Sequence, residues 1–281
     1  MAHILIAGLG DLGQSLAQRW LEGEHTVSAI RRSNQAPAGV DLYSQDLTDG
    51  AVLLPPDQVD LLYIILTPSD RSVEGYQRAF LHAPKRLLDA LAAQQPLPPI
   101  VFVSSTAVYG EHSGEVDEKT PPKPNKFNGR ILLAAEEEIS TRSLTTVVRF
   151  SGIYGAGRKR LLQQVSDIES GGAGPDPTWT NRIHREDCVA LLHLLGQRWI
   201  DQEMVPPVVI GTDTAPSVNT AVLNWLAAQQ GISLNLSVPD IVPGKRIRSL
   251  FLAEQKIALR HPDFKSGYTE MLAVEGSGEK I

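Results

Sequence analysis

The chain has 281 residues, 42% of them hydrophobic and 21% charged, with a formal net charge of −6. That apolar content supports a full-sized core and excludes a disordered or fibrous chain. The acidic balance gives no general attraction to phosphate backbones, which excludes nucleic acid as the main partner.

The first elements follow one another quickly. Ile4 to Ala7 is an apolar strand ending in glycines, and Leu12, Leu16 and Trp20 mark one face of the helix behind it. His25 to Ile30 reads as a second strand, Val40 to Tyr43 as a third and Leu61 to Leu66 as a fourth. Ser72 to Gln94 is amphipathic, with Pro84 expected to start a new helix or kink this one. Ile100 to Val103 is a fifth strand, fully apolar as buried parallel strands are. A polar, Pro-rich loop (110–125) leads to a helix marked by Ile131, Ala135 and Ile139, and Thr145 to Phe150 is a sixth strand. Beyond it come a flexible loop at 171–177, a helix over 186–197 and a strand at 208–210. A further helix is expected with Ser217 as its N-cap.

Strand alternating with helix predicts a Rossmann-type, doubly wound α/β fold with a parallel sheet and a smaller C-terminal substrate lobe. The expected dinucleotide domain is 1–152 with 180–211 returning to it; the lobe is 153–179 and 212–281. The single cysteine, Cys188, has no internal disulfide partner and fits a reducing cytoplasm. No apolar run is long enough for a bilayer span and no signal peptide is visible, so a cytoplasmic chain is expected, with a homodimer admitted.

Gly8-Leu9-Gly10-Asp11-Leu12-Gly13 follows a strand and opens a helix. In such a turn the first glycine permits the bend, the second lets the backbone approach a pyrophosphate, and the third lets helix and strand pack. The helix N-terminus offers N–H groups to the phosphates. NAD-selective sites place an acid about 20 residues further on, where it accepts from the ribose. Between His25 and Val40 there is no acid but there are Arg31 and Arg32, whose guanidinium forks suit a 2′-phosphate. NADP is therefore expected over NAD, which stays open. Because ligands sit beyond the carboxyl ends of such strands, Asp46-Leu47 would set the adenine edge, and Leu66-Thr67 the ribose and phosphate.

Val101 to Gly110, containing Ser104-Ser105-Thr106-Ala107-Val108-Tyr109, resembles the strand and serine segment of the extended short-chain dehydrogenase/reductases, which include the NAD-dependent epimerase/dehydratases. Arg149 to Arg158 is similar to their segment after the sixth strand. Ile183-His184-Arg185-Glu186-Asp187 is similar to their Ile-His-x-x-Asp helix start, and Pro262-Asp263-Phe264 with Gly267-Tyr268 to the ending of some members. The resemblance implies a serine that orients the substrate oxygen and a Tyr-x-x-x-Lys pair that moves the proton. The serine carries over to Ser105, and Ser104 falls on the cofactor side. The pair does not follow: alignment puts Asn128 and Leu132 there, or Phe127 and Ile131 one residue earlier. The family's G-x-x-G-x-x-G begins here with Ala7, and its Arg-x-Gly-Asp reads Val242 to Arg246. These departures resemble an atypical branch of the superfamily.

Two functions are compatible with this pattern. One is an NADP-dependent oxidoreductase or epimerase/dehydratase-like enzyme with a small polar, sugar-nucleotide-like substrate. In it Ser105 and Thr106 hold the substrate oxygen, and Tyr109 or a water handles the proton. Arg158, Arg182, Lys245 and Arg246 would ring an anionic substrate or simply be solvated. The other is a non-catalytic NADP(H)-binding redox sensor. His184 and Cys188 have acceptable metal spacing but no third ligand, so no metal is expected.

Overall fold

The buried apolar runs become strands of one sheet. The computed structural model describes residues 1–276. Its first part runs β1 (His3–Ala7), α1 (Asp11–Glu22), β2 (Thr26–Arg31), β3 (Val40–Ser44), β4 (Leu61–Ile64), α2 (Val73–Gln77), α3 (Ala83–Ala92), β5 (Ile100–Ser105), β6 (Gly114–Val116), α4 (Phe127–Arg142) and β7 (Thr145–Phe150). There follow β8 (Gly152–Tyr154), α5 (Arg160–Glu169), β9 (Trp179–Thr180), β10 (Arg182–His184), α6 (Arg185–Ile200), β11 (Val208–Gly211), β12 (Ser217–Val218), α7 (Asn219–Gln229), β13 (Lys245–Ile247), α8 (Leu250–Glu254) and α9 (Phe264–Gly276).

The main sheet has seven strands in the order β11-β7-β5-β4-β1-β2-β3. β1 pairs parallel with both β2 and β4, β2 with β3, and β4 with β5. Every residue of β1, β4 and β7 is buried, as strands covered on both faces must be. This is the expected doubly wound Rossmann fold. Strand order reverses between β1 and β4, and that crevice is where such sheets take ligands.

Of two local expectations, the one for Pro84 is met and the one for Ser217 needs revision. The 72–94 stretch stays helical throughout: α2 passes through a π-helical turn at Arg78–His82 into α3, with Pro84 in the first turn of α3. Proline has no N–H to give the preceding turn, and a widened turn accommodates that without breaking the helix. Ser217 does not cap α7. Its hydroxyl donates to the Ala215 carbonyl (2.8 Å) while the residue pairs with Thr180 in a short ladder, and α7 begins at Asn219.

Contacts divide the chain into two units: one of 1–110, 122–149 and 189–209, the other of 111–121, 150–188 and 210 onward. β10 pairs with β8 rather than with the large sheet, which keeps 182–184 in the second unit. The supposed loop at 110–125 contains β6, which pairs with β13. Glu118 fastens the same segment: its carboxylate accepts from Ile210 N (3.0 Å), Ser249 Oγ (2.9 Å) and Leu250 N (2.7 Å). The second unit's apolar cluster includes Tyr154, Val165, Leu226, Phe264 and Tyr268. Of the expected 212–281 lobe segment, 277–281 lies outside the described residues.

Candidate functional site

At the reversal of strand order the first unit opens a cleft of about 610 Å³. Its floor is Gly8, Leu9 and Gly10 after β1; its walls are Ile30 to Ser33 after β2, Gln45 to Thr48 after β3, and Ile65 to Thr67 after β4. Gly8 has φ +109°, and a Cβ there would run into the Ile65 carbonyl, so only glycine fits. A Cβ on Gly13 would meet the Gly8 carbonyl, because α1 lies directly on the turn. Gly10 differs from both: a Cβ there would meet nothing within 4 Å. The backbone at Gly10 therefore faces open space, and no side chain caps α1 at that position. Asp11 and Leu12 occupy the first turn, with Leu12 N donating to Asp11 Oδ1 (2.9 Å).

The far end of the cleft is cationic. Arg31 donates to the Gln35 carbonyl (2.8 Å), whereas among the described residues nothing hydrogen-bonds the Arg32 guanidinium. Asp46 accepts from Thr48 N and Oγ1 (2.9 and 2.7 Å), which holds its carboxyl below the usual carboxylate range, helped by the fields of Arg32 and Arg78. Leu47 is buried against this wall. Arg78, from the π turn, is a third arginine lining the cleft that sequence reading missed. Its only sequence cue is its place in the helical stretch after β4.

Behind β5 the family-like serine segment is held by a buried ion pair. Ser105 Oγ accepts from Ala107 N (3.2 Å) and so starts the 3₁₀ turn Thr106–Tyr109. Ser104 Oγ donates to Glu136 (2.5 Å), and Glu136 takes Arg149 through Nη2 (2.6 Å) and Nε (3.1 Å). Arg149 Nη1 donates to the Tyr109 hydroxyl (2.9 Å). Tyr109 is 0% exposed, and Ser104 and Thr106 are buried too. Burial changes the reading of Tyr109: its hydroxyl completes a structural network. Ser104 likewise spends its hydroxyl on Glu136. Ser105 alone of the four is half-exposed. On α4, Leu132 is buried and Asn128 half-buried; Gly129 between them packs where a Cβ would stand 2.6 Å from the Ala107 carbonyl.

In the second unit the four candidate cations occupy different settings. Arg182 is 6% exposed, with Nη2 donating to Thr180 Oγ1 (2.6 Å) and its guanidinium 5.4 Å over the Phe264 ring. It is a buried structural group, which takes it out of a solvent-facing ring. Arg246 is exposed, lying 5.6 Å over Trp179 and 4.0 Å from Glu115. Arg158 and Lys245 are half-buried. Asp213 beside Arg182 is pushed up to about 7 by burial, which the Arg182 charge only partly offsets. Nitrogen and carboxylate atoms of His184, Glu186 and His261 lie within 4.8 Å of one another. They are already engaged: His261 contacts Asp187 and Glu270 (3.1 and 3.0 Å), and Arg260 bridges Glu186 and Glu270.

The profile of the NAD-dependent epimerase/dehydratase family matches residues 4–198. The chain belongs to that family. Protein YeeZ of Escherichia coli K12 is 32% identical over 215 residues, 70% of this chain and 74% of that one. A structure assigned to the NAD-dependent epimerase/dehydratases from Methylobacillus flagellatus is 34% identical with a TM-score of 0.82, covering 98% and 99% of the two chains. MoeE5, solved with UDP-glucose and NAD, superposes with a TM-score of 0.77 over 99% and 100% at 19% identity, a likeness of fold. Within this family the chain is atypical: no tyrosine of its sequence has a lysine four residues on. Among the described residues no helix is long and apolar enough to cross a membrane.

Proposed function

We propose that the cleft binds an adenine dinucleotide, NADP in preference to NAD, and that the protein is an oxidoreductase or epimerase/dehydratase for a small polar, sugar-nucleotide-like substrate. One observation carries this reading: a glycine turn at the reversal of strand order, with open space over Gly10 and arginines, not an acid, at the end of β2. The residues fit the group. Gly10 and the first N–H groups of α1 bind the pyrophosphate, Asp46 and Leu47 border the adenine, and Leu66 and Thr67 border the ribose. Arg31 and Arg32 take the 2′-phosphate. When bound, the nicotinamide supplies a hydride acceptor or donor. Ser105 orients the substrate oxygen, and a water in place of the missing tyrosine carries the proton.

The second unit is the substrate lobe in this reading, with Arg158, Lys245 and Arg246 as its cations. UDP-glucose in MoeE5 is the model for the chemical class. A second reading is a redox sensor without turnover. It is favoured by one specific feature, the buried apolar Leu132 at the lysine position, which cannot hold a ribose hydroxyl or tune a proton donor. Fluorescence titration with NADPH and NADH tests the shared premise: both readings require NADPH to bind, and binding of neither nucleotide rejects both.

A further inference from the structure

Arg78 lines the cleft, and among the described residues its one ion pair is with Asp70, Nη2 to Oδ2 at 3.3 Å. Both side chains are half exposed, 50% and 49%. We propose that Arg78 and Asp70 form an anion-exchange latch for the 2′-phosphate of NADP: Asp70 holds Arg78 in the free protein, and Arg78 passes its ion pair to the phosphate when the dinucleotide enters. This rests on the dinucleotide reading of the cleft.

Three observations support the exchange. First, Asp70 does not depend on Arg78, because its carboxylate also accepts from Ser72 N (3.0 Å), Ser72 Oγ and Ser69 Oγ (3.1 Å). Ser72 Oγ in turn caps Gly75 N (2.9 Å), so the turn survives the departure of the arginine. Second, the pair that breaks is a single exposed contact, of a kind that contributes little, whereas a phosphate dianion offers several charge-assisted bonds to a guanidinium fork. Third, Arg32 and Arg78 line the same cleft from different elements, the end of β2 and the π turn after α2. Among the described residues the Arg32 guanidinium makes no hydrogen bond or ion pair, and Arg78 makes one weak ion pair. A phosphomonoester there meets one ready guanidinium and one exchangeable one. Asp70 then acts as a resident competitor that the larger charge displaces and the uncharged ribose hydroxyl of NAD does not.

The test is a set of dissociation constants for NADPH, NADH, adenosine 2′,5′-bisphosphate and AMP. Arg78→Ala, and Arg78→Gln which keeps the stem, should weaken NADPH and the bisphosphate by roughly tenfold, the effect of one charge-assisted bond. NADH and AMP should stay within about twofold, the scale of a lost exposed contact. Asp70→Asn keeps the acceptor but removes the competing charge, so it should tighten NADPH several-fold and leave NADH unchanged. Equal losses for NADPH and NADH in the Arg78 variants would make Arg78 an adenine or framework contact and overturn the latch. Unchanged or weaker NADPH binding in Asp70→Asn would overturn it too. A parent protein that binds NADPH no better than NADH would instead sink the NADP reading itself, and the latch with it.

Discussion

At the residue scale, the three glycines of the first turn separate by what surrounds each one. Gly8→Ala and Gly13→Ala press a methyl into a backbone carbonyl, so each should destabilise the first unit. The Cβ of Gly10→Val meets nothing within 4 Å, so the variant should fold with nearly the parent's melting temperature. Its branched side chain would fill the space a pyrophosphate needs, and NADPH binding should vanish in a fluorescence titration. Retained affinity would place the nucleotide elsewhere. Arg31→Ala with Arg32→Ala should sharply reduce a preference for NADPH, leaving the share that Arg78 carries and some binding through the glycine turn. With each charge-assisted bond contributing roughly 1.5–3 kcal/mol, the lost preference should be tenfold or more. These positions were legible because a strand, a glycine turn and a helix form one local motif. Arg78 was not, because its approach to the cleft depends on how the helical stretch after β4 folds back over the sheet.

At the element scale, α4 and the turn after β5 are joined by side chains that the sequence offers but does not connect. Ser104, Tyr109, Glu136 and Arg149 come from four elements, β5, the 3₁₀ turn after it, α4 and β7, and only the folded structure shows that they form one network. A tyrosine beside the serine segment reads as a proton donor when exposure is unknown; 0% exposure and an arginine on its hydroxyl make it a strut. Tyr109→Phe removes the acceptor that Arg149 Nη1 uses, and should cost about 1–3 kcal/mol in urea denaturation. Glu136→Ala leaves the buried arginine without its counter-charge and should cost about 3–5 kcal/mol. The departure of α4 from the superfamily pattern was readable directly, since no tyrosine in the sequence has a lysine four residues on, whether Asn128 and Leu132 or Phe127 and Ile131 take those positions. Neither pair supplies a proton donor, and a placed donor contributes roughly 10²–10⁴-fold. We therefore expect firm NADPH binding with weak turnover of the alcohols and sugar nucleotides typical of these enzymes. A substrate panel followed at the nicotinamide absorbance tests this. Any turnover found should fall in Ser105→Ala, and robust turnover indifferent to that change would mean the substrate oxygen is held by other groups.

At the scale of the whole molecule, two buried groups of the second unit tie folding to pH in opposite senses. Burial, with the neighbouring His261, pushes His184 down to about 4, so its neutral form is the folded one. Its contribution is complete above its ordinary value near 6.5 and is lost as pH falls through about 4. Asp213 runs the other way. Its folded value of about 7 lies above the ordinary 3.8, so its contribution is complete below 3.8 and lost as pH rises through 7. The cause is geometric: Asp213 Oδ2 and Arg182 Nη1 are both buried without a hydrogen-bond partner among the described residues, so their attraction acts through space. Burial lowers Arg182 as it raises Asp213, and both shifts say that desolvation outweighs the pairing. Asp213→Asn keeps the shape and the bond from Ala215 N (3.2 Å) while abolishing the charge. It should gain up to about 4 kcal/mol over the parent at pH 8, an advantage that shrinks to nearly nothing by pH 4. Urea denaturation at several pH values reads this difference. A loss of stability at pH 8 would show instead that Arg182 keeps the carboxylate ionised, and that this buried pair holds the second unit together.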